Sequence, residues 1–89
     1  MTAARSIYLG GITLSIRESI VAILKEIKPN KSLEGVADIV EGGYLDSFEI
    51  MNLIMLLSEK FGVEIGFEEI VPDNFNSIDA MVAMVERLK

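Results

Sequence analysis

The run Asp46-Ser47-Phe48-Glu49-Ile50-Met51-Asn52-Leu53-Ile54-Met55-Leu56-Leu57-Ser58-Glu59-Lys60-Phe61-Gly62 holds more apolar side chains than one buried helix face can use. At about 100° per residue, Ile50, Leu53, Ile54, Leu57 and Phe61 fall within an arc of roughly a hundred degrees, which makes a full core stripe. Phe48, Met51 and Met55 fall on a second arc, well away from the first and on the same side as Ser47. Asp46 is suited to accept from the free amides of the first turn, and Gly62 to end the last. The spacing therefore predicts a helix over Ser47–Phe61 with one face for the core and another left over.

Outward from this helix the pattern stays helical. Ile16, Ile20, Ile23, Leu24 and Ile27 share one face of a first helix, and Ser15 with Glu18 has the spacing of a capping box. Pro29-Asn30 stops it. Residues 30–46 form a long connection studded with Leu33, Val36, Ile39 and Val40, whose Gly42-Gly43 pair turns the chain just before Asp46. Gly66–Ile70 reads as a single short helical turn before Pro72. A final helix starts near Asn76 or Ser77, with Ile78, Met81, Val82, Val85 and Leu88 inward. Gly62–Ile65 is the only stretch with strand character. The expected fold is a small all-α bundle.

A chain of 89 residues makes one domain, and at this size only about 60% of the unfolded surface is buried, which leaves little room for an enclosed active site. Cysteine and histidine are both absent, which removes thiolate nucleophiles, imidazole bases, disulfides and the usual zinc ligand sets. The expectation is that the chain is not an enzyme. The charge is uneven: residues 1–33 carry five basic and two acidic side chains, whereas residues 34–79 carry eleven acidic residues against Lys60 alone. Such a field repels nucleic-acid phosphates and anionic lipid headgroups and attracts basic protein surfaces. Residues 15–89 form the domain, and residues 1–14 an extension that is either a flexible lead, an appended segment or a strand-like arm. Its apolar stretch Ile7–Ile12 is too short and glycine-broken for a signal h-region or a membrane span. A cytoplasmic monomer is expected.

Gly43-Tyr44-Leu45-Asp46-Ser47-Phe48, opening an amphipathic helix in an acidic helical chain, resembles the acyl carrier protein family. The later Phe61-Gly62-Val63-Glu64-Ile65 segment and the helix order agree with it over about Ile16 to Leu88. The resemblance implies a four-helix bundle of acyl-carrier type, with three main helices, a short third helix and a long loop between helices one and two. It implies that Ser47 is the attachment serine for 4′-phosphopantetheine from coenzyme A, with Asp46 as its acidic neighbour. It also implies that Phe48, Met51 and Met55 are apolar docking positions, bordered by Glu49, Asn52 and Glu59. Implied partners are a phosphopantetheinyl transferase and acyl- or aminoacyl-loading and acyl-processing enzymes with basic docking surfaces. Phe48 stands where leucine is commonest in that family, and Asn52 and Lys60 where many fatty-acid carriers have acids. Acyl, D-alanyl and peptidyl types, and so fatty-acid, polyketide and nonribosomal peptide pathways, all stay open.

The chemistry is coherent with the composition. A chain without thiol or histidine cannot itself activate a carboxylic acid as a thioester, but a serine hydroxyl can accept a phosphodiester-linked arm that brings its own sulfur. A helix N-terminus suits the attached phosphate. Two other classes compete. A helical interaction adaptor without prosthetic group would use the same second face of the helix. Carboxylate metal catalysis has Glu68, Glu69, Asp73 and Asp79 as candidates, but their spacing matches no calcium loop, and solvated surface accounts for them better.

Overall fold

The computed structural model describes residues 15–89 and, before them, the backbone of Tyr8–Leu9 and Ile12–Thr13. These two short strands, β1 (Tyr8–Leu9) and β2 (Ile12–Thr13), pair antiparallel with Tyr8 opposite Thr13 and Leu9 opposite Ile12. What was expected of the remaining residues of 1–14 lies outside the described residues. Gly62–Ile65 forms no strand. Gly62 takes a left-handed φ of 63° as the cap of the preceding helix, and the chain that follows is held to that helix by Ser58 rather than by a second strand.

Helix α1 (Ile16–Ile27) begins with the reciprocal cap its sequence announces: Ser15 Oγ accepts from the Glu18 amide at 3.1 Å, and Glu18 Oε1 accepts from the Ser15 amide at 2.9 Å. Helix α2 (Ser47–Phe61) is followed by a 3-10 turn at Phe67–Glu69, a four-residue helix α3 (Pro72–Phe75) and helix α4 (Ile78–Leu88). Pro72 opens α3 at its first turn instead of merely ending the preceding turn. Its missing N–H would find no partner there in any case. Ser77 caps α4, its Oγ accepting from the Ala80 amide at 3.0 Å.

The core is filled by Ile20, Ile23 and Leu24 of α1, Leu53 and Leu57 of α2, Phe75 of α3, and Ile78, Met81, Met84 and Val85 of α4. Helix α1 packs against both α2 and α4, and α3 against α4. Because α4 is flanked on two sides, its buried arc is rotated toward Met84, while Val82 and Leu88, expected inside, are half-buried at its edges. The long connection is anchored by Leu33, Ile39 and Leu45, all buried. Asn76, expected at the start of the last helix, clamps that connection instead. Its backbone carbonyl accepts from Ile39 N at 2.8 Å, and its Oδ1 accepts from Val40 N at 3.0 Å and Glu41 N at 3.1 Å.

Candidate functional site

The connection delivers the chain to α2 through Gly43, whose φ of 76° favours glycine, and through the buried Leu45. Asp46 is then the N-cap in extended conformation. Its Oδ1 accepts from the Glu49 amide at 2.8 Å, and Glu49 Oε1 accepts from the Asp46 amide at 2.9 Å. Ser47 follows as the first helical residue, exposed, and among the described residues its hydroxyl takes part in no hydrogen bond. The helix start thus presents an unencumbered nucleophilic oxygen beside first-turn amides that no intrahelical carbonyl can satisfy.

Phe48, Met51 and Met55 are 87%, 64% and 53% exposed, so the long loop does not cover them. Asn52 and Glu59 are exposed on the same side. Glu49 is different. It lies toward α1, where Lys28 Nζ approaches its Oε2 at 3.1 Å, and its side chain is largely covered. An acid expected as a rim charge is held in the cap and an ion pair, because the third residue of the first turn points at the end of α1.

On the other flank of Ser47, Val40, Ile50, Ile70, Val71, Pro72 and Phe75 line an apolar cleft of about 160 Å³. Phe67, not singled out in the sequence, is 90% exposed on the 3-10 turn. A lone aromatic in a three-residue turn has no periodicity to betray its orientation.

Of the four carboxylates weighed for metal chemistry, Glu69 and Asp79 are taken by arginines. Arg87 Nη1 meets Glu69 Oε2 at 3.0 Å, and Arg17 pairs with Asp79. The Arg87 hydrogen bond holds the Glu69 carboxyl below its ordinary value, and Glu69 in turn raises Arg87. Among the described residues no cluster of three or more metal-ligating side chains forms, and no helix is long and apolar enough to cross a membrane.

Residues 15–85 match the family profile described as phosphopantetheine attachment site. Among curated proteins, a probable acyl carrier protein PigG of Serratia sp. (strain ATCC 39006) is 39% identical over 57 residues, covering 64% of this chain. The match spans 66% of that relative's length. No solved structure matches the chain.

Proposed function

Because this chain belongs to the phosphopantetheine attachment-site family, we propose that Ser47 is the residue that bears the 4′-phosphopantetheine arm of this carrier protein. The observation that carries this reading is the exposed Ser47 hydroxyl at the first position of α2, unpartnered among the described residues. The residues fit the group: the uncapped amides of the first turn and the helix dipole favour a phosphate there, while the Asp46 carboxylate is turned to capping the Glu49 amide. In the modification step the Ser47 hydroxyl gives its proton to a base on the transferase. Its oxygen bonds to the pantetheine-side phosphorus of coenzyme A, and adenosine 3′,5′-bisphosphate leaves. Once attached, the arm supplies the thiol on which an acyl or aminoacyl group rides as a thioester.

The chain itself carries and presents the cargo while partner enzymes supply the chemistry. Phe48, Met51 and Met55, with Asn52 and Glu59 beside them, form the face those partners meet, and Asp46 contributes to recognition as well as to the cap. An acidic surface with a small apolar centre suits brief contacts with basic partners. Carrier proteins of this family work with phosphopantetheinyl transferases and biosynthetic enzymes; for this chain we place that work in the cytoplasm, as a monomer. Incubation with coenzyme A and a broad-specificity phosphopantetheinyl transferase, followed by intact mass measurement, should show a single addition. Ser47→Ala should abolish it with helical content unchanged. A wild-type chain that takes no addition, or a Ser47→Ala chain that still does, would overturn the assignment.

A further inference from the structure

Two of the five basic residues in 1–33 meet at the start of α2. Lys28 is the C-cap of α1, and the Lys31 amide donates to the Lys28 carbonyl at 3.2 Å, which closes a turn over Pro29 and Asn30 with a lysine at each end. Lys28, Lys31, Gly42, Gly43 and Tyr44 line one polar cleft of about 410 Å³. Side-chain contacts tie that cleft to α2. Lys28 Nζ lies 3.1 Å from Glu49 Oε2, and the other oxygen of the same carboxylate accepts from the Asp46 amide at 2.9 Å. A single side chain thus links Lys28 to the residue next to Ser47. Lys31 Nζ stands 5.6 Å from the centre of the Tyr44 ring, and Tyr44 precedes Ser47 by three residues, a span of at most about 11 Å. The buried Leu45 anchors that short span.

Both ammonium groups keep donors to spare. Lys28 meets one carboxylate, and Lys31 makes no ion pair among the described residues, while each ammonium carries three N–H groups. Residues 34–79 hold eleven acids against Lys60 alone, so a negative group placed on Ser47 stands in an unfavourable field unless cations lie close to it. A lysine ammonium is a compact point charge that suits a phosphate oxygen.

The tether selects which phosphate. Two lysines at the surface hold a free anion weakly, whereas a phosphate esterified to Ser47 is presented to them intramolecularly, at a high effective concentration. We propose that Lys28 and Lys31 form a cationic seat for the phosphodiester of the arm, holding the root of the arm toward the end of α1. This rests on the assignment of Ser47 as the attachment residue.

The test compares apo and fully modified chains by NMR, with loading confirmed by intact mass. Attachment of the arm should shift the side-chain resonances of Lys28 and Lys31 and leave those of Lys60 in place. In modified Lys31→Gln the phosphorus transverse relaxation rate should fall about twofold as the root of the arm gains fast motion, and Lys31→Arg, which keeps the charge, should restore it. Replacing both lysines, Lys28→Gln with Lys31→Gln, should lower the rate further. Lys31 is exposed, so its variants should keep the wild-type urea midpoint; should the double variant lose helical content with its Glu49 pair, the Lys31 variants alone carry the comparison. Inorganic phosphate equimolar with the apo chain should leave the lysine resonances unmoved, and shifts as large as those of the modified chain would overturn the part given to the tether. A modified wild-type chain whose lysine resonances match the apo chain and whose phosphorus relaxation matches Lys31→Gln overturns the seat and leaves the Ser47 assignment standing. A wild-type chain that takes no arm overturns both.

Discussion

Ser19 is 1% exposed, and its hydroxyl has no hydrogen-bond partner among the described residues. A buried hydroxyl left without a partner costs about 1–3 kcal/mol, and alanine is the better helix former. Ser19→Ala should therefore raise the urea midpoint, by an amount equivalent to about 1 kcal/mol. A lower midpoint would mean that the oxygen is satisfied by back-bonding to the preceding turn. Asp46 allows a cleaner separation of roles. Asp46→Ala removes the cap and should cost roughly 1 kcal/mol, or about 5 °C in Tm for a domain of this size, whereas Asp46→Asn retains a capping oxygen. If the asparagine variant melts like wild type yet is modified more slowly, its carboxylate is read by the transferase; equal rates would confine Asp46 to capping.

Among the elements, the clamp between the Asn76 side chain and the Val40 and Glu41 amides joins positions 36 and 35 residues apart. Asn76→Ala leaves two loop amides without their acceptor, and amide exchange at Val40 and Glu41 should quicken while that of the α1 core stays slow. The tie between the 3-10 turn and α4 depends on pH. Hydrogen bonding to Arg87 lowers the Glu69 pKa in the folded chain, so the stabilisation is present above the unfolded carboxylate value and is lost as pH falls through the lower folded one. A carbon-detected titration of Glu69 should show its midpoint rise in Arg87→Met; an unmoved midpoint would deny the pair any part in the shift. The bounds of α2, its Asp46 cap and the Ser15–Glu18 capping box were legible because each depends on residues only a few positions apart, whereas the reciprocal bond from Glu49 to the Asp46 amide was found only in the structure. The Asn76 clamp was not legible either, since an asparagine before a capping serine looks like a helix start until the distant loop folds onto it.

Over the whole molecule, eleven acidic residues against Lys60 in 34–79 set the field that a partner meets. Raising ionic strength from low to physiological should lower kcat/KM for modification several-fold, chiefly through slower encounter, because exposed charges are screened over about 8–10 Å. A salt-independent rate would assign docking to the apolar face alone. The core explains why that face stays outside. Leu53, Leu57, Phe75, Met81 and Met84 are all nearly or fully inaccessible, which leaves no space for Phe48, Met51 or Met55 to turn inward.

The amino-acid sequence by itself determined helices α1, α2 and α4, the Ser15 and Asp46 caps, the exposed serine at the head of α2 and the two faces of that helix. All of these rest on short-range spacing and on the chemistry of single side chains. Only the tertiary structure decided that Glu49 answers to Lys28, that Met84 lies deeper than Val82, and that Phe67 is left almost fully exposed. Those outcomes depend on which surfaces meet when the helices pack, and contacts between distant segments leave no trace in local periodicity.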